Sequence, residues 1–297
     1  MAILGKRDWK VFFHKIYVKV FATDMMSRAA QIGFYFSFSF FPLLFFLVTL
    51  FGMVLGSTEN LKNELYAYIS QLMPESAYEL VHKTLDEIVE KSSGGKLTLG
   101  LFITLWSASA GVDSVRGSLN AVYELKESRA WWKTKLQSLV MTLGFIILIA
   151  VVLAGVTAGW QLVQIILGYA GLEVTSPLIL VTVQWLALLV VMLFATGVIY
   201  SWLPCFDEFR WIWISPGAVV AILLWLILSE GFKLYLQYFN SYNKAYGSLG
   251  AVIILMLWMY LTGMAILMGG AINSVLSEMS TKNPAEVLTQ PGDETEM

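Results

Sequence analysis

From Leu136 to Leu172 the chain reads LQSLVMTLGFIILIAVVLAGVTAGWQLVQIILGYAGL, without one Asp, Glu, Lys or Arg. A helix rises about 1.5 Å per residue and the hydrocarbon of a bilayer is about 30 Å thick, so about 20 apolar residues cross it. This stretch is long and apolar enough to do so. Charge-free runs also cover 29–58, 97–112, 174–206, 211–229 and 245–277. Of the 297 residues, 58% are hydrophobic and only 13% charged, which excludes a water-soluble globule. Membrane-spanning strands would alternate over about ten residues each, and these runs do not alternate.

The fold class is therefore an all-α polytopic membrane protein, a bundle of six transmembrane helices near 29–55, 97–118, 137–160, 177–201, 215–237 and 249–276. Together they form a single domain over 1–280, followed by a disordered cytoplasmic tail over 281–297 that holds Pro284, Pro291 and several acids. Pro42 falls within the first span and predicts a kink there. Residues 57–95 are the most polar segment, yet Leu61, Leu65, Tyr68, Ile69 and Leu72, then Val81, Leu85, Ile88 and Val89, keep helical spacing. They read as a helical insertion of two amphipathic helices, broken near Pro74 and closed by Gly94 and Gly95.

Before the first span, residues 8–22 place Trp9, Phe12, Phe13, Ile16, Tyr17 and Val20 on one stripe, with Lys10, His14, Lys15 and Lys19 off it. Such a helix either lies in the inner membrane interface, held by apolar burial and anionic lipid, or packs against the bundle. The N-terminus shows no short apolar core with a small-residue cleavage site, so the first span is expected to direct insertion. Cys205 is the only cysteine, which excludes an intrachain disulfide and a Cys-based zinc cluster.

Orientation follows from the basic residues outside the spans. With the N-terminus inside, that side holds Lys6, Arg7, Lys10, Lys15, Lys19, Arg28, Lys126, Arg129, Lys133, Lys135, Arg210 and Lys282; the other holds Lys62, Lys83, Lys91, Lys96 and Lys244. The excess puts both termini in the cytoplasm and the insertion outside.

The run 97–112 is about 24 Å long as a helix, too short to cross. The second span must continue through Asp113 and Arg116 towards Asn120, at the level of Arg28. In the fifth span, Glu230 and Lys233 fall within or at the edge of the outer half. Charges at membrane depth face the bundle interior or a wet cavity and are candidates for function. Arg28, Asp113, Arg116, Asn120, Glu230, Lys233 and Asn273 are accordingly the candidate transport or ion-pair residues, with Arg28 in reach of Asp113. The alternative is that these pairs only lock helices together. Gly155 with Gly159, and Ala265 with Gly269, are small-xxx-small pairs that permit close helix approach.

Several motifs occur together: Arg28-Ala-Ala-Gln-Ile-Gly-Phe-Tyr-Phe-Ser-Phe-Ser-Phe-Phe-Pro42, Leu105-Trp-Ser-Ala-Ser109 with Asn120 and Tyr123, Ser215-Pro-Gly-Ala218, Tyr246-Gly-Ser-Leu-Gly-Ala251 and Gly269-Gly-Ala-Ile-Asn273. In this combination, over about residues 10–280, the chain resembles the YihY/BrkB family of bacterial inner-membrane proteins. The resemblance implies a six-helix protein without established catalytic residues. Members have been linked to serum resistance and to tolerance of altered lipopolysaccharide export, which points towards lipid or envelope-precursor movement. The family also carries an old ribonuclease BN label. A metal-dependent nuclease needs clustered His and carboxylate ligands beside a basic groove, and His14 and His82 fall on opposite sides of the membrane. Neither a metal nor another cofactor is expected, and no nucleic acid partner. The expected partners are membrane lipids, including anionic headgroups. The function expected is movement of a lipid or amphiphilic envelope precursor in the bacterial cytoplasmic membrane, with a non-transporting scaffold as the alternative and enzyme activity not expected.

Overall fold

The computed structural model describes residues 6–55, 94–169, 177–206, 214–238 and 248–281. These hold seven helices: α1 (Lys6–Ala22), α2 (Met25–Leu55), α3 (Gly94–Val122), α4 (Trp131–Tyr169), α5 (Pro177–Trp202), α6 (Pro216–Tyr238) and α7 (Ser248–Thr281), with no strand among the described residues. Four carry a stretch long and apolar enough to cross a membrane: Trp131–Val152, Thr182–Trp202, Pro216–Leu236 and Val252–Ser280. The chain is thus a multi-pass helical membrane protein. The helices outrun the expected spans; α4 starts at Trp131 rather than 137 and α7 runs to Thr281 rather than 276. A charge-free run marks hydrocarbon, whereas a helix continues into the interface for as long as its backbone can pair.

The tail beyond Thr281 and most of the expected insertion lie outside the described residues. Gly94 and Gly95 do not close a helix but open α3. Glycine is accepted at a helix start as well as past its end, and the apolar run that follows decides the direction here. α2 continues through Pro42 without ending.

α7 is the central helix, packed against α2, α6, α3 and α1, while α2 also runs along α3 and α3 along α4. In lipid, association gains little from hydrophobicity, so close packing of small residues has to hold helices together. Two glycines show this. A Cβ on Gly33 of α2 would stand 2.8 Å from the backbone nitrogen of Tyr260 in α7, and one on Gly217 of α6 would overlap the carbonyl oxygen of Gly269. Ala265 is buried and Gly269 meets Gly217 and Ala221, so this small-xxx-small pair is a packing face. The surroundings of Gly155 and Gly159 lie outside the described residues.

The main core joins Met25, Ala29 and Ile32 of α2 with Leu119 and Val122 of α3 and Leu267 and Ala271 of α7. It gathers where α2 begins and α3 and α7 end, here called the polar end of the bundle. α1 docks there too, with only part of the stripe read from its sequence. Phe12 and Ile16 pack on Ile272 and Val275, while Trp9, Phe13 and Tyr17 are exposed. Lys19, expected off the apolar face, is buried and paired with Glu278. A lysine stem covers apolar surface readily when a carboxylate receives its head, which a count of apolar side chains does not register.

Candidate functional site

Ser109, Asp113, Arg116 and Asn120 are spaced by four, three and four residues and so share one face of α3. That face meets Thr134, Lys135 and Ser138 in the first turns of α4. Asp113 is bonded on both oxygens: Oδ1 accepts from Ser138 Oγ at 2.5 Å and pairs with Arg116 Nη1 at 3.1 Å, and Oδ2 accepts from Lys135 Nζ at 2.8 Å. Lys135 also donates to Ser109 Oγ at 2.6 Å and stands 4.6 Å from the ring centre of Trp106. Its side chain is only 10% exposed. Arg116 Nη1 donates further to the Thr134 carbonyl at 2.7 Å and to Ser138 Oγ at 3.0 Å, and its Nε lies 3.7 Å from Glu127.

The network continues into the turn after α3. Leu125 N–H donates to the Asn120 carbonyl at 2.7 Å and Glu124 N–H to Ala121 at 3.1 Å, with Glu124 at φ 58°. This is a Schellman ending in which a glutamate occupies the left-handed position usually held by glycine. It swings Glu127 back over the helix, where the buried Asn120 donates to it at 3.0 Å and accepts from the Cys205 N–H at 2.8 Å. Arg129 grips Glu127 with two bonds of 2.7 and 2.8 Å and reaches the Leu203 carbonyl at 3.1 Å. Those guanidinium bonds pull the Glu127 carboxyl down to about 2, against a smaller opposing effect of burial, and raise the pKa of Arg129 in return. Lys135, Arg116 and Arg129 face Asp113 and Glu127, leaving one positive charge in excess.

Asn273 occupies a separate junction. Ser215 precedes α6, its Oγ accepting from the Ala218 N–H at 3.0 Å, and Pro216 takes the first helical position, where no N–H is needed. Asn273 Oδ1 accepts the next orphan donor, Gly217 N–H, at 2.8 Å, while its Nδ2 donates to Ser215 Oγ at 2.9 Å. The cap of α6 is thus held by α7. Tyr123 borders this junction: burial pushes its hydroxyl up to about 12, with a hydrogen bond to Asn273 working the other way.

Of the residues singled out from sequence, Asp113, Arg116 and Asn120 come together, and Asn273 caps α6. Arg28 does not close on the Asp113 carboxylate, which Arg116, Lys135 and Ser138 surround; its Nε donates to the Thr23 carbonyl at 2.8 Å, across the turn where Asp24 has φ 49°. Glu230 and Lys233 pair at 3.5 Å but are 72% and 65% exposed, on the outside of α6 rather than in its interior. Glu230 lies about 21 Å along the helix from Pro216 at 1.5 Å per residue.

Sequence reasoning missed Lys135, Ser138, Glu127 and Arg129. The spacing of Trp131 and Lys135, one turn apart, carried a signal: a lysine one turn past a tryptophan that opens an apolar run is one that needs a partner.

An apolar groove of about 280 Å³ opens elsewhere, between α5 and α6, lined by Trp185, Leu186, Leu189 and Met192 of α5 and by Ile222 and Leu226 of α6.

Residues 16–292 match the family model described as Virulence factor BrkB. The chain belongs to that family. Among its relatives, YfkH of Bacillus subtilis strain 168, whose name describes it as ribonuclease-like, is 29% identical over 276 residues, covering 92% of this chain and 98% of the relative. A UPF0761 membrane protein of Vibrio vulnificus strain CMCP6 is 25% identical over 80% of this chain and 74% of its own length. One of Vibrio parahaemolyticus serotype O3:K6 is 27% identical over 74% and 67%. No solved structure matches.

Proposed function

We propose that this BrkB-family protein moves a lipid or other amphiphilic envelope precursor across or within the bacterial cytoplasmic membrane, as a six-span bundle with both termini inside. The observation that carries this reading is the α5–α6 groove. Its volume of about 280 Å³ is nearly twice the roughly 150 Å³ that houses a benzene-sized molecule, which suits a stretch of alkyl chain. Its walls are apolar along a helix that is exposed over most of the groove. Arg28, half-buried at the start of α2, is the guanidinium assigned to an anionic headgroup, because Arg116 already answers four protein acceptors.

The test is translocation of a fluorescent phospholipid in proteoliposomes. Filling the groove with Leu189→Trp should abolish movement without lowering the melting temperature, whereas Ile227→Trp, at an exposed position on α6, should leave it intact. Full movement by a folded Leu189→Trp protein overturns the reading.

The scaffold reading draws support from the Asp113 network, whose bonds run from protein group to protein group. The ribonuclease-like name is not carried over. His14 is exposed on α1, and among the described residues no three His, Cys, Asp or Glu side chains are grouped to hold a metal.

A further inference from the structure

We infer that α1 is a docking helix for anionic phospholipid headgroups, using a face different from the one that holds it to the bundle. Trp9, Phe13, Tyr17 and Phe21 follow each other at intervals of four and form one ridge, exposed by 47%, 62%, 63% and 60%. The rings are in mutual contact, Trp9 with Phe13 at 5.9 Å between centres and Tyr17 with Phe21 at 4.7 Å. Four exposed aromatic rings in a row are costly in water and suit the headgroup layer, where amphipathic rings settle.

The charges divide between two sides of the same helix. Facing the bundle, Lys15 pairs with Glu278 at 3.3 Å, and Lys19 pairs with Glu278, lies 3.3 Å from Glu124 and donates to Ser274 Oγ at 2.7 Å. Those two lysines are answered by the protein. Lys10 and His14 are exposed beside the aromatic ridge. The outward side is therefore aromatic and basic. A second copy presenting the same face would bring like charges together, whereas phosphodiester headgroups complement both the charge and the rings. The bundle is itself embedded in that surface, so the occupant is always within reach. Because Lys15, Lys19 and Phe12 fasten the opposite side of α1 to the last turns of α7, lipid bound to the ridge bears directly on the central helix.

The test uses the full chain with Cys205→Ser and a single cysteine at Phe13, or at Tyr17 should the first not fold, carrying an environment-sensitive fluorophore. A third variant carries it at Val18, which is exposed but not part of the aromatic ridge. The proteins are placed in nanodiscs of phosphatidylcholine alone or with phosphatidylglycerol, with lipids bearing a quencher near the headgroup. The ridge labels should be blue-shifted and quenched, more so as phosphatidylglycerol rises, and Val18 should not be. Lys10→Gln should raise severalfold the phosphatidylglycerol fraction at half-maximal quenching. Ridge labels as wet as the Val18 label overturn the inference, as does quenching indifferent to lipid charge. Cross-linking of two chains through the ridge cysteine would assign the face to a second copy instead.

Discussion

Asp113→Ala should destabilise the protein through the cations it leaves behind. Lys135 Nζ would keep Ser109 but lose the carboxylate it pairs with in a side chain that is 10% exposed, and Arg116 would lose the 3.1 Å contact. Breaking a buried ion pair by removing one partner costs about 3–5 kcal/mol. Asp113 itself is 26% exposed, so water can enter the vacated space, and the cost falls to about 2–3 kcal/mol on that scale. For a chain of this order of length, about 2–4 °C accompanies each kcal/mol, so the melting temperature should drop by about 5–10 °C. Thermal melting in detergent, followed by circular dichroism, reads this directly. Asp113→Asn combined with Lys135→Met should recover most of the loss, because neither charge then remains, and Arg116 keeps Thr134, Ser138 and Glu127. A wild-type melting temperature for Asp113→Ala, or a double variant no better than the single one, would refute the clasp. Lost lipid movement in an Asp113→Ala protein of unchanged stability would return the residue to transport.

Three further outcomes are expected. Gly217→Ala puts a methyl into the Gly269 carbonyl; overpacking costs about 1–3 kcal/mol, and the loss of folded protein on size exclusion should exceed that of Gly231→Ala, where a methyl meets open space. Asn273→Ala removes the partner of the Gly217 N–H and of Ser215 Oγ and should cost about 1–2 kcal/mol in denaturant unfolding, as other lost helix caps do. Glu127 has its folded pKa lowered to about 2, so its stabilisation is complete above the ordinary carboxylate range and is lost as pH falls from about 4.5 towards 2; Glu127→Gln should flatten the stability profile across that window, and an unchanged profile would show that Arg129 does not hold it.

Helices and bundle class were legible because both follow from the lengths of apolar runs, which a bilayer imposes. The face of α3 was legible as well, since the shortness of the run 97–112 pulls Asp113 and Arg116 into depth and their spacing aligns them with Asn120. Their partners were not. Lys135 flanks a charge-free run and so reads as lying outside it, yet it falls within the candidate span Trp131–Val152. Glu127 reaches the cluster through the left-handed turn at Glu124, a position usually held by glycine, so the glutamate there gives no sign of the turn. Arg28 was expected at the level of Asp113, but a common level does not fix azimuth: Arg28 turns to Thr23 on its own chain segment. In α1 the period of four joined two faces into one stripe, and only the packing of Phe12 and Lys19 on α7 separates them.

The uneven attachment of α5 has its cause in the order of its residues. Its run from Val183 to Phe194 is almost entirely large and apolar, whereas Ala195, Thr196, Gly197, Tyr200 and Ser201 are small or polar. Lipid competes with protein for the first group on equal terms, and only the second can form contacts that acyl chains cannot match. Accordingly Tyr200 donates to the Ile266 carbonyl at 2.7 Å, Gln137 to that of Trp202, and Arg129 to that of Leu203 at 3.1 Å, all at the polar end. Trp185, Leu186 and Val190, by contrast, are 61%, 59% and 64% exposed. The groove beside α6 is lined by residues of this stretch. The network around Asp113 thus lies at the end of the bundle where α5 carries its small and polar residues, and the groove lies along the stretch where its large apolar side chains are exposed.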